Sequence, residues 1–181
     1  SPIPIVKDLL TDDRVSSLAG VGFQLSAIPI GVERGWITRE QGQQRAEEIL
    51  DAIVPREDNK KHGIYLHYVD PDTGGMHSAD GMQVQASTVD HALLQAGAMT
   101  VASYFSGRVA ELANRLVEEA NWKVFQTEPD GYISFGWRPE EMQRNLDAPG
   151  AFRPWTWYNA SDEERLVYFL AVGAPQSEHA V

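Results

Sequence analysis

Carboxylates stand at the heads of two apolar runs in this chain. Asp90 follows Ser87-Thr88-Val89, and Asp162, Glu163 and Glu164 follow Ser161. Two carboxyl groups facing each other across a cleft are the minimum equipment for cleaving a glycosidic bond. One protonates the leaving oxygen, the other activates water or attacks the sugar, and their separation decides between inversion and retention. Acids in a first helical turn also have a plainer role, because they offset the helix dipole and accept from free N–H groups. Residue types alone leave both readings open. Glu33-Arg34 closes a third apolar run and either lines the same cavity or forms a surface salt bridge. His67, between Leu66 and Tyr68, is either a cleft residue or a satisfied strand histidine.

Other chemistry is poorly represented. The five histidines (His62, His67, His77, His91, His179) have no metal-ligand spacing, so metal catalysis is not expected and no cofactor is implied. There is no phosphate-binding loop, dinucleotide fingerprint or nucleophile elbow. Aromatic residues gather between the apolar runs: Tyr65, Tyr68, Trp122, Phe125, Tyr132, Trp137, Phe152, Trp155, Trp157 and Tyr158. Sugar rings stack on such faces, and ligand contacts concentrate on loops carried by a rigid scaffold. Aromatics in loops equally serve as plugs over a core.

The elements that must position these residues alternate in character. Asp12-Asp13 opens a small-residue apolar helix through Ser16–Glu33, which Pro29 should kink. Thr38 and Gln41 form a capping box for the amphipathic helix Arg39–Ile53. Ile64–Val69 reads as one strand, Asp70–Gly75 as a turn, and Met76–His77 as a short return. Gln85–Phe105 carries almost no charge after Asp90, so its helix belongs in the middle of a protein. Ser106 caps the amphipathic helix Gly107–Trp122. Lys123–Gln126 and Tyr132–Phe135 read as strands around Glu128–Gly131, Pro139–Gln143 as a short helix, and Asn145–Trp157 as loop. Ser161 opens the last helix, Asp162–Val172. A mostly apolar helix followed by an amphipathic one, with hairpin-bearing loops between pairs, is the rhythm of an α/α toroid. An irregular helical bundle explains the helices equally well.

The 181 residues make one domain, 1–181, long enough for a real core. A net charge of −11 argues against nucleic acid or an anionic membrane as partner and fits a neutral or cationic ligand, or a solubility role. There are no cysteines, which excludes disulfides and thiolate chemistry. No apolar run approaches the ~20 residues of a membrane span. The first residues, SPIPIVKDLL, are not a signal peptide.

Several phrases together resemble the glycoamylase-like domain family. Ser17–Phe23 followed by Ile28–Ile37 is similar to its S-x-A-G-x-G-F…P-I-G-V-E-R-G-W-I. Ser87–Asp90 with Ala92-Leu93-Leu94 and Ala96-Gly97 is similar to S-T-I-D-T-A-L-L-L-A-G. Gly136–Glu140 resembles G-W-K-P-E, and Glu163 with Leu170–Pro175 resembles the family's last apolar helix. The phrases fall in family order. The resemblance implies the N-terminal half of an (α/α)6 toroid: mainly α, with inner apolar and outer amphipathic helices and small β-hairpins in the loops. It implies a bacterial, periplasmic or secreted glucan-acting hydrolase of the kind represented by endo-β-1,2-glucanases and the middle domain of cyclic β-1,2-glucan synthases. It also carries over Asp90 and Glu163 as cleft carboxylates, with Glu33, Arg34, His67 and Trp137 as substrate-contacting residues, and Tyr158 joins them from the loop aromatics. Gln85 stands where the family has Glu, and only half of a twelve-helix ring is present. The alternative is therefore a non-catalytic glucan-binding or assembly module, its open edge covered by a second copy or a partner chain.

Overall fold

The structure, a computed structural model, describes residues 3–127, 131–140, 143–158 and 162–181. Its helices are α1 (Leu18–Glu33), α2 (Arg39–Ile53), α3 (Thr88–Tyr104), α4 (Arg108–Glu119) and α5 (Asp162–Val172). Short strands β1 (Ser16–Ser17), β2 (Lys60–Lys61), β3 (Ile64–Tyr65), β4 (Tyr68–Val69), β5 (Ala86–Ser87), β6 (Gly136–Pro139) and β7 (Gly150–Phe152) lie between them. They form three small antiparallel sheets, β1–β4, β2–β3 and β5–β6–β7. The chain is mainly α with small hairpins, as expected.

The apolar helices α1 and α3 run side by side in the same direction. Their contact is made by glycine: a Cβ on Gly22 would lie 2.2 Å from the Leu93 carbonyl oxygen, and one on Gly97 would lie 2.2 Å from the Gly22 oxygen. Backbone therefore touches backbone, and α3 is buried on nearly every side, from Thr88 and Ala92 through Leu94 and Ala98 to Val101. The amphipathic helices form an outer layer. In α4 the buried residues Val109, Leu112, Ala113 and Leu116 recur at helical spacing and pack on α3, while Arg108, Glu111 and Arg115 face out. In α2, Thr38 Oγ1 accepts from the Gln41 N–H and the Gln41 side chain accepts from the Thr38 N–H. That reciprocal cap stabilises the helix by about 1 kcal/mol.

Several local expectations are corrected. Ile64–Val69 is two strands, because β3 pairs with β2 while β4 pairs with β1. Lys123–Gln126 belongs to a 3₁₀ turn, Trp122–Phe125, which sends Trp122 and Phe125 into the core three residues apart. Asn145–Trp157 contains β7, whose Ala151 and Phe152 pair with Arg138 and Trp137 of β6, so Pro139 ends a strand rather than starting a helix. The first helix begins at Ser17, whose hydroxyl accepts from the Gly20 N–H, and Asp12 is engaged in a turn with Arg14 instead. Ser161, Asn159 and the turn residues 128–130 lie outside the described residues, as do 141–142.

Candidate functional site

The inner helices start from a shared seam, and His67 is its middle. The Leu18 N–H donates to the His67 carbonyl at 3.0 Å, and the His67 N–H donates to the Gln85 carbonyl at 2.8 Å. One residue thus fixes the start of α1 to the strand that leads into α3. Its side chain is left over the first turn of α3, stacked on the Tyr68 ring with centroids 3.7 Å apart. From there His67 Nε2 reaches to 3.5 Å from Asp90 Oδ1.

Asp90 is 8% exposed. Its other carboxylate oxygen, Oδ2, accepts from the Ser87 hydroxyl. Ser87 is the N-cap residue of α3, yet its side chain makes no bond to the helix N–H groups and is spent on Asp90 instead. Burial pushes the Asp90 carboxyl above its ordinary range; the charge of His67, the Ser87 hydroxyl and Asp90's own N–H pull the other way, and the negative charge of Glu163 pushes it further up. The outcome is a carboxyl that keeps its proton to higher pH than a free aspartate, the condition a general acid or neutral hydrogen-bond donor needs. Tyr68 is likewise raised, first by burial and then by the charges of Asp8 and Asp90.

A second layer of loop holds the head of α3. The Thr88 N–H donates to the Phe135 carbonyl at 3.1 Å, and Thr88 Oγ1 donates to the Ser134 carbonyl at 2.9 Å. Trp157 Nε1 donates to the same Oγ1 at 2.9 Å, its ring tilted against Phe135 with centroids 4.1 Å apart. Ser134, fully buried, donates to the Arg153 and Gly136 carbonyls. From α5, Tyr168 Oη accepts from the Ile133 N–H and donates to the Trp157 carbonyl. The loops around the site are therefore bonded to α3 and α5 rather than free.

Of the residues singled out in sequence, Asp90 and His67 are brought together, while Glu163 stands on the exposed first turn of α5, near enough for its charge to act on Asp90. Tyr158 is 61% exposed, with its ring edge-on to Tyr132. Glu33 and Arg34 are not brought to this site. They end α1, and sixteen residues at 1.5 Å rise put them roughly 24 Å from its start. There Glu33 Oε1 accepts from Tyr104 Oη at 2.5 Å. Trp137 is also no open platform, being 5% exposed, wedged against Gly150 and overlaid by Lys61 Nζ at 4.7 Å from its ring centroid. Sequence reasoning missed Ser87 as the partner of Asp90, and Thr88 as the tie between helix and loop; the only local sign of either was the cap-like Ser-Thr pair. Among the described residues no helix is long and apolar enough to cross a membrane.

Parallel apolar helices starting at one loop-built seam, backed by amphipathic helices, make a glycoamylase/endo-β-1,2-glucanase-like fold, which the chain shares with solved structures over part of their length. A β-1,2-glucanase of Parabacteroides distasonis superposes with a TM-score of 0.77 at 22% identity, covering 99% of this chain and 25% of that one. An endo-β-1,2-glucanase of Chitinophaga pinensis, in complex with sophorotriose and glucose, gives 0.72 at 23%, covering 94% and 39%. A proposed glucoamylase of Bacteroides uniformis gives 0.78 at 23%, covering 95% and 40%. In sequence, an exo-β-1,2-glucooligosaccharide sophorohydrolase of Parabacteroides distasonis is 28% identical over 128 residues, 66% of this chain and 18% of that protein. No family model matches the chain. The chain thus spans two fifths or less of the length of these relatives.

Proposed function

We propose that this chain is a glucan-holding half of an α/α toroid, selective for β-1,2-linked glucose, that presents Asp90 to the sugar as a protonated donor. One observation carries the reading: a buried carboxyl with a raised pKa sits at the common start of the inner helices, in a fold shared with β-1,2-glucanases. On this reading His67 orients the carboxyl, Tyr68 and Tyr158 contact sugar, and the location is periplasmic or secreted. The inner helices leave Phe23, Ile30, Phe169 and Val172 exposed, and a groove of about 760 Å³ opens between α3, α4 and α5. Apolar faces of this kind are covered in an assembled ring. We assign them to the helices that make up the remaining length of the relatives, whether in the same polypeptide or in another chain.

A second reading, hydrolysis by general acid–base chemistry with Asp90 as acid and Glu163 activating water, is favoured by their electrostatic proximity. The two separate cleanly. Sophorotriose and β-1,2-glucan are titrated into the chain by calorimetry, and reducing ends are counted after incubation. Binding without new reducing ends is the expected result. New reducing ends abolished in Asp90→Asn transfer the assignment to the hydrolase. Absence of both binding and cleavage removes the glucan reading altogether.

A further inference from the structure

The segment that ties the loops to α3 also carries an exposed indole that the site around Asp90 does not use. Trp155 is 55% exposed. Its carbonyl accepts from the Phe135 N–H at 3.0 Å, and the Phe135 carbonyl in turn accepts from Thr88, so the indole sits one residue's hydrogen bonds away from the head of α3. The Arg153 guanidinium lies over one face of the ring, 4.5 Å from its centroid, and the indole stays about half exposed beside it.

Two cations stand beside it without a carboxylate. The chain carries a net −11, and among the described residues six of its fifteen lysines and arginines are paired with carboxylates, as Arg56 is with Asp58 and Arg108 with Asp51. Among the described residues neither Arg138 nor Arg153 has an ion pair. Arg138 Nη1 donates only to Gln83 Oε1 at 3.4 Å, and the two arginines are close enough that partial burial and the charge of Arg138 both hold Arg153 below its usual range. Like charges kept together, with donors unspent, have unmet hydrogen-bonding capacity directed at the surface.

We propose that Trp155, Arg153 and Arg138 form a pyranose-binding subsite that extends the Asp90 site outward along a bound glucan; the proposal rests on the glucan reading above. A glucose unit sets an apolar face of C–H groups on the side of the indole that Arg153 does not cover, Arg153 backs the ring from the other side, and the Arg138 N–H groups donate to the sugar hydroxyls. Aromatic and arginine donors in one rigid place meet both needs at little conformational cost. The hydrogen bonds of Ser134 and Trp157 supply the rigidity.

Indole ¹H–¹⁵N spectra of the chain, with the Trp155 signal identified by its loss in Trp155→Phe, test this during titration with sophorotriose and longer β-1,2-glucooligosaccharides. The Trp155 signal is expected to shift saturably. Trp155→Ala is expected to weaken oligosaccharide binding about five- to tenfold, and Arg153→Gln by a smaller factor, with unchanged circular dichroism because both side chains sit at the surface. Trp155→Tyr, which keeps a stacking face, restores part of the affinity. Wild-type binding with no Trp155 shift and full affinity in Trp155→Ala overturns the subsite and leaves the glucan reading standing. A wild-type chain that binds no oligosaccharide overturns both.

Discussion

Gly22 and Gly20 sit two residues apart in α1, and replacing each by alanine makes the same chemical change in opposite surroundings. Alanine gains up to about 1 kcal/mol over glycine inside a helix. At Gly20 the new methyl group meets the Val6 side chain at 3.3 Å and Ser17 Cβ at an ordinary 3.9 Å, and Val6 belongs to the half-open lead-in and can give way. At Gly22 it meets the Leu93 oxygen at 2.2 Å and the Leu94 nitrogen at 2.8 Å, both backbone of α3. A carbon–oxygen contact needs more than 3 Å, so α1 and α3 must separate by about an ångström along a crossing that buries Leu18, Leu25 and Ala98. Overpacking of a well-filled core costs about 1–3 kcal/mol. A clash against backbone belongs at the upper end, so the net change for Gly22→Ala is about 2 kcal/mol destabilising. For a chain of this length that lowers Tm by roughly 4–8 °C, while Gly20→Ala leaves it unchanged or slightly raised. Thermal unfolding followed by circular dichroism measures both. Equal shifts in the two variants would falsify the claim that direct backbone contact sets the α1–α3 crossing. Because both helices start at the His67 seam, Gly22→Ala should also weaken oligosaccharide binding, and Gly20→Ala should not.

Two further outcomes concern protons. The Asp90 carboxyl is raised above its unfolded value, so the folded state holds a proton the unfolded state has released; its contribution to stability is present at low pH and is lost as pH rises through its folded pKa. Asp90→Asn, which keeps an acceptor for Ser87, should therefore raise Tm at pH 7 relative to wild type, with the gain shrinking as pH falls; a gain that grows towards acid contradicts the raised pKa. His91 is the opposite case: fully buried, bonded through Nε2 to Gln95 Oε1 at 3.1 Å, and pushed down by burial to about 3. Its contribution falls as pH drops below the ordinary histidine range, by roughly 2 kcal/mol between pH 6.5 and 5. Urea unfolding of wild type and His91→Gln at those two pH values should show a smaller acid penalty in the variant; an identical penalty removes His91 as its source.

What was legible in sequence was local. Thr38 and Gln41 fixed the start of α2 because a capping box needs nothing beyond four residues. The heptad-like spacing of Val109, Leu112 and Leu116 marked α4 as an outer helix in the same way. The interruption at Leu66–His67 was not legible, since its cause is that β3 and β4 find different partners, one of them some fifty residues upstream. β7 was hidden for a similar reason: Gly150-Ala151-Phe152 has little strand character of its own and is held by β6. The apolar run placed Asp90 at the head of a central helix, but the cap-like Ser87 concealed that its hydroxyl serves the carboxyl. Glu33 and Arg34 stand out in sequence as the pair closing an apolar run and again in the family phrases; the helical rise alone puts them at the far end of α1.

The two carboxylates of the proposed site differ in how far this chain completes them. Everything that raises and orients Asp90 lies within it: the burial comes from α1, α3 and the seam, the hydroxyl from Ser87, the imidazole from His67. Among the described residues Glu163 has no such setting, because it stands exposed on the first turn of α5. Protonating a glycosidic oxygen needs only an acid of suitable pKa within hydrogen-bond reach, whereas activating water needs a base held on the opposite face of the sugar at a set separation. The first demand is local to the head of α3; the second depends on what stands across the cleft. On the proposed reading this chain holds sugar against a protonated carboxyl by itself, and turnover depends on a base placed opposite Asp90. This difference, more than the length of the chain, makes binding the primary reading and hydrolysis the conditional one.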